Sequence, residues 1–212
     1  PPPPPPPPPT PPPPPPPTPT PQHSSAASDV YKRQVYSITF LLPFYLIQGR
    51  ELNPAQAGLL LTIQPVVMAI SAPISGTLSD RIGSRLPGML GMGLLSSGLF
   101  LLSQLGPDSG LWLVALGLLI AGAGTGTFIS PNTSALMGAA PRARQGIASG
   151  VQGAARNFGM VLGIGLAGAI FTTQLAQNTT DALYQGISMG FMVAAVVALL
   201  GIVTSAMKNE SI

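Results

Sequence analysis

From Val35 onward the chain alternates between long apolar stretches and short polar interruptions, the stretches falling at about 35–48, 54–75, 87–105, 111–137, 146–172 and 186–207. A helix needs roughly 20 residues to cross a hydrocarbon core of about 30 Å at a rise of about 1.5 Å per residue. Five stretches reach that length. The first, VYSITFLLPFYLIQ, has 14 residues and reads as a helix whose beginning is missing. Lipid offers backbone groups no partners, so spanning segments are helices or closed barrels, and runs such as LWLVALGLLIAGAG lack the period-two alternation of barrel strands. The pattern predicts an all-α, polytopic membrane protein with six transmembrane helices, the first truncated. A soluble helical core would need polar faces that these spans lack.

The interruptions carry a second pattern. Arg81 and Arg85 lie in the second connection, Arg142 and Arg144 in the fourth, and Lys208 follows the last span. The remaining connections hold Arg50 beside Glu51, then Asp108, then Asp181. Positive residues therefore fall on alternate sides, five against one, and the positive-inside rule places the C-terminus in the cytoplasm of a multi-pass inner (plasma) membrane protein.

Composition sharpens this once the first 34 residues are set apart. Of 26 Pro, 18 lie in residues 1–21, a stretch that could form only a solvated polyproline rod. Residues 24–34, SSAASDVYKRQ, look like an in-frame translation of a transposase adapter used to prepare sequencing libraries. Residues 1–34 are accordingly read as a Pro-rich, adapter-derived artefact and residues 35–212 as the six-helix bundle. His23 leaves with that segment, so the bundle contains no His and, like the whole chain, no Cys. Its seven Lys/Arg and five Asp/Glu form no basic stripe, which argues against nucleic acid as a partner.

The same arithmetic removes most enzyme chemistry. A Ser or Thr nucleophile lacks a base, no thiolate or imidazole set can bind a metal, and the bundle's one Lys, Lys208, is terminal. Gly146-Ile-Ala-Ser149-Gly150 places its Ser one position late for a nucleophile elbow. Gly122-Ala-Gly-Thr-Gly126 lies inside an apolar span, without the preceding strand that a phosphate-binding loop requires. No cofactor is expected. Glycine is dense in the spans, with Gly159 and Gly163 at GxxxG spacing, and Pro65, Pro73 and Pro131 stand within or at the ends of spans. Close helix packing and kinking are the expected consequences.

The second connection carries the most specific signal. Gly76-Thr-Leu78-Ser-Asp80-Arg81-Ile-Gly83-Ser84-Arg85 resembles the GxLxDRxGRR/K signature of the major facilitator superfamily, found between the second and third helices of each six-helix half. Gly76 and Gly83 would permit a tight turn, and Asp80 could accept hydrogen bonds from a helix N-terminus or pair with an Arg. The resemblance makes Gly76, Asp80, Arg81, Gly83 and Arg85 a gating loop; Ser84, where a second basic residue is common, is a departure. Leu42-Pro43-Phe44, Ala57-Gly58-Leu59-Leu60, Pro131-Asn132, Gly146-Ile147-Ala148-Ser149-Gly150 and Arg156-Asn157-Phe158-Gly159 resemble the C-terminal half of the fourteen-helix drug:proton antiporter branch.

That resemblance implies one half of a major facilitator fold, working by alternating access and driven by a proton gradient. The partners it implies are the lipid bilayer, a missing N-terminal half and a small-molecule substrate. Every carboxylate of the bundle (Glu51, Asp80, Asp108, Asp181, Glu210) lies in a connection or the tail, so the proton carriers are expected in the other half. Arg156 is the one charge within a span, about 15 Å past Gly146; it faces a polar cavity or snorkels to the interface. Gln64, Asn132, Gln152 and Asn157 join it as pathway candidates, with plain interhelical hydrogen bonding as the alternative for each. Transport of a sugar, organic acid or other metabolite, or a non-transporting receptor or assembly role, stays open.

Overall fold

The computed structural model describes residues 37–139, 141, 145–175 and 182–206. The described helices are α1, Ser37–Gly49; α2, Pro54–Ile82; α3, Arg85–Ser103; α4, Leu111–Ala139; α5, Gln145–Leu175; and α6, Ala182–Ala206. They correspond in order to the six predicted stretches. Within α2, α3, α4 and α6 lie spans long and apolar enough to cross a bilayer, and α5, at 31 residues, has the length.

Local sequence explains where the helices begin and bend. Asn53 caps α2, its Oδ1 accepting the Gln56 N–H at 2.9 Å, with Pro54 at the first helical position. The winding of α2 loosens at Thr62, three residues before Pro65, whose ring displaces the carbonyl of Leu61. The Thr62 hydroxyl donates to Leu59 O there at 2.6 Å. In α1 the turns after Pro43 widen into a π-helix over Phe44–Gly49, as expected where a residue without an N–H interrupts the regular ladder.

One boundary differs from expectation. Hydropathy ends the second stretch near residue 75 and begins the third near 87, whereas α2 runs to Ile82 and α3 starts at Arg85. The connection is therefore Gly83 and Ser84 alone. A helix satisfies its own backbone in water as well as in lipid, so it does not stop where the apolar side chains do.

The helices pack in the spatial order α2, α4, α3, α6, with α6 also holding α1 and α5. The buried center comes from Leu41, Leu42 and Tyr45 of α1, Met92, Leu95, Leu99 and Leu102 of α3, Val114 and Leu118 of α4, and Ile187 and Phe191 of α6. Those on α3 and α6 recur at helical spacing, one stripe per helix. The outer surface is aliphatic: Val66, Ile70, Ile74, Leu78 and Ile82 form an exposed stripe along α2, and α5 exposes Ile147, Val151, Phe158 and Val161. Large apolar side chains outside and small ones at the contacts are what lipid solvent selects.

Candidate functional site

The helix contacts that position the polar residues are made by glycine. On α4, Gly122 and Gly126 lie against α2: a Cβ at Gly122 would stand 2.7 Å from Gln64 O, and one at Gly126 would stand 2.7 Å from Met68 O. Gly124 faces the opposite neighbor, where a Cβ would meet Leu95 N of α3 at 2.4 Å and Gly91 O at 2.7 Å. The Gly122–Gly126 segment is thus the place where α4 is wedged between two helices. Gly159 and Gly163 are both buried on α5.

Hydroxyls complete the contacts. Ser75 Oγ of α2 donates to Thr127 O of α4 at 2.7 Å, and Ser96 Oγ of α3 to Ala195 O of α6 at 3.0 Å. Ser188 Oγ donates to Ser103 O, one of the orphan carbonyls at the end of α3. At the end of the bundle holding the 50–53 and 104–110 connections, Tyr45 OH donates to Gly106 O at 3.0 Å, Arg50 to Pro107 O, and Tyr184 OH to Gly49 O at 2.6 Å. The two tyrosine rings meet edge to face at 6.0 Å. None of these partners was predicted; the tyrosines near span ends were the available signal.

At the opposite end, the predicted loop is divided. Gly83 has φ 83°, ψ 163° and makes the turn, in a conformation open to glycine and strained for any residue with a Cβ. Gly76 makes no turn: it lies inside α2, where a Cβ would stand 2.7 Å from Ser130 Oγ of α4, so its smallness serves helix approach. Asp80 and Arg81 occupy the last turn of α2, and Arg85 the first of α3, all exposed. Arg81 complements the negative end of the helix dipole and Asp80 opposes it. Among the described residues Asp80 has no ion pair or hydrogen bond, and Arg142 and Arg144 lie outside the described residues.

The pathway candidates fall at two levels. Gln64 is 8% exposed, beside Gly122, and its amide makes no hydrogen bond among the described residues. Asn132 is half-buried next to Pro131, ten residues or about 15 Å further along α4. Gln152 belongs to that second level: its Nε2 donates to Thr133 Oγ1 at 3.2 Å and ties α5 to α4. Asn157 is exposed on α5. Arg156 lies one helical turn from Gln152, and its side chain falls outside the described residues, as do Arg142, Arg144, Asp181, Lys208 and Glu210.

The family model described as Major Facilitator Superfamily matches residues 34–209. The chain belongs to the Major Facilitator Superfamily. Among its relatives, the riboflavin transporter RibZ of Clostridioides difficile is 32% identical over 172 residues, covering 79% of this chain and 38% of that protein. The multidrug resistance protein Stp of Mycobacterium tuberculosis is 34% identical over 143 residues, 67% of this chain and 26% of that protein. The tetracenomycin C resistance and export protein of Streptomyces glaucescens is 29% identical over 142 residues, again 67% and 26%. A solved structure concerning proton dependent oligopeptide transporters overlays with TM-score 0.80 at 21% identity, covering 90% of this chain and 42% of that one; this likeness is one of fold. The chain spans between about a quarter and two fifths of the length of these curated relatives. As a superfamily member, the chain carries a partial major facilitator fold of membrane-spanning helices.

Proposed function

We propose that residues 35–212 form the C-terminal six-helix bundle of a proton-coupled exporter of hydrophobic or cationic drugs, working by alternating access in the plasma membrane. The relatives named for drug resistance and export carry this reading. The sparse polar lining supports it: Gln64 and Asn132 on α2 and α4, with Gln152, Arg156 and Asn157 on α5, suit a ligand bound mainly by apolar contact. Glu51, Asp80 and Asp108 lie at helix ends or in connections, so the proton-carrying carboxylates belong to an N-terminal half that completes the pathway. The gate formed by Asp80, Arg81, Gly83 and Arg85 at the junction of α2 and α3 lies on the cytoplasmic side with the C-terminus, and Asp80 engages groups outside its own helix pair as the two halves rock.

A metabolite as substrate is the second reading, supported by the riboflavin-transporter relative. Efflux assays on cells producing the transporter separate the two. The proposal predicts export of a cationic dye that stops on adding a protonophore and falls at least about tenfold in Asp80→Asn and Arg156→Ala, the scale of one lost charge-assisted hydrogen bond. Flux of riboflavin alone would favor the second reading. Dye flux indifferent to both substitutions would remove the assigned gate and pathway roles.

A further inference from the structure

A proline inside a helix leaves the carbonyl four residues earlier without its amide donor. In α4 that proline is Pro131 and the carbonyl is that of Thr127. Ser75 of α2, 4% exposed, donates its hydroxyl to this same oxygen at 2.7 Å. Nearby hydroxyls behave differently: Ser71 donates to Val67 O at 2.7 Å and Thr125 to Ala121 O at 2.6 Å, each within its own helix, as is ordinary for these residues. Ser75 has the equivalent carbonyl of Ser71 within its own helix and bonds across to α4 instead. Glycine on either side lets it reach, since Gly76 admits Ser130, and Gly126 admits Met68 O and Ser71.

We propose that Ser75 is a positioning residue: it supplies from α2 the donor that Pro131 withholds, and thereby fixes the angle between α2 and α4 beyond the proline. Membrane helices tolerate proline where a neighboring hydroxyl restores the lost partner. The segment so held carries Asn132 and also Thr133, the acceptor for Gln152, so one serine sets the placement of the second polar level. The inference concerns helix geometry and stands whether or not the exported substrate is a drug.

A double-mutant cycle on the full chain, unfolded reversibly in mixed micelles, tests it. Ser75→Ala is expected to lower the folding equilibrium constant at least about fivefold, the consequence of leaving a part-buried acceptor without its donor. In a Pro131→Ala background, where residue 131 regains its amide, the same change should cost less than about twofold. Ser75→Thr should retain the parental value. In parallel, a ¹³C=¹⁸O label at the Thr127 carbonyl should shift to higher wavenumber in Ser75→Ala only while Pro131 is present. An equal cost in both backgrounds, or an unmoved carbonyl band, overturns the proposal. Should Ser75→Ala alone fail to fold, the proposal requires the double variant to fold, and a double variant that also fails overturns it.

Discussion

Gly124→Ala places one methyl group at the tightest glycine contact between α3 and α4. The new Cβ would stand 2.4 Å from Leu95 N and 2.7 Å from Gly91 O, where ordinary contact begins at 3.4 Å. Both neighbors are backbone, so no side chain can rotate away and the helices must part by about 1 Å. A radial gap of that size forfeits a quarter to a half of the dispersion well at each contact it opens, and overpacking of this kind costs about 1–3 kcal/mol. Alanine also gains about 1 kcal/mol over glycine in helix propensity, which offsets part of the loss. Gly153→Ala on α5 isolates the steric cost, because a Cβ there meets nothing within 4 Å while the propensity gain is the same. Thermal unfolding in detergent, followed by circular dichroism, should therefore place Gly124→Ala about 1–3 kcal/mol below Gly153→Ala. Equal midpoints, or a more stable Gly124→Ala, would refute the close approach of α3 and α4 and the packing order built on it.

Two further substitutions probe single residues. Glu51 holds φ 53°, the one non-glycine at positive φ among the described residues, so Glu51→Gly should stabilize the chain by about 1 kcal/mol in the same melts; a lower midpoint would show that its side chain matters more than its backbone. Gln64 buries an amide without a hydrogen-bond partner among the described residues, so Gln64→Leu should leave stability unchanged or raise it by about 1 kcal/mol while reducing flux of the transporter. Destabilization with unchanged flux would make Gln64 a packing residue and remove it from the pathway.

Hydropathy alone located all six helices, because each must present an apolar surface to lipid and the charges between them mark where lipid ends. It could not locate the ends of α2 and α3: Thr77–Ile82 is helical although it carries Ser79, Asp80 and Arg81, since nothing in water penalizes a helix that satisfies its own backbone. The same gap explains Gly76. The motif predicts a turn there, and the position of Ser130 on α4 shows a close helix contact instead. The Gly122–Gly126 run was legible as intramembrane packing, but not which glycine faces which helix, because both neighbors are apolar. Ser75 carries no signal of its own in the sequence, since a serine in a span ordinarily bonds within its own helix. The carbonyl freed at Thr127 was nonetheless implicit in Pro131, and counting back four residues from each intramembrane proline would have found the acceptor.

The proposed division of labor between this bundle and an N-terminal half can be measured most directly by substrate flux in proteoliposomes under an imposed pH gradient. Residues 35–212, reconstituted alone and shown by circular dichroism to be folded, should give no proton-driven flux. Reconstituted with the proposed N-terminal half, they should give flux that collapses with a protonophore. Proton-driven flux by residues 35–212 alone would place the coupling carboxylate among Glu51, Asp80, Asp108, Asp181 and Glu210, and would contradict the account.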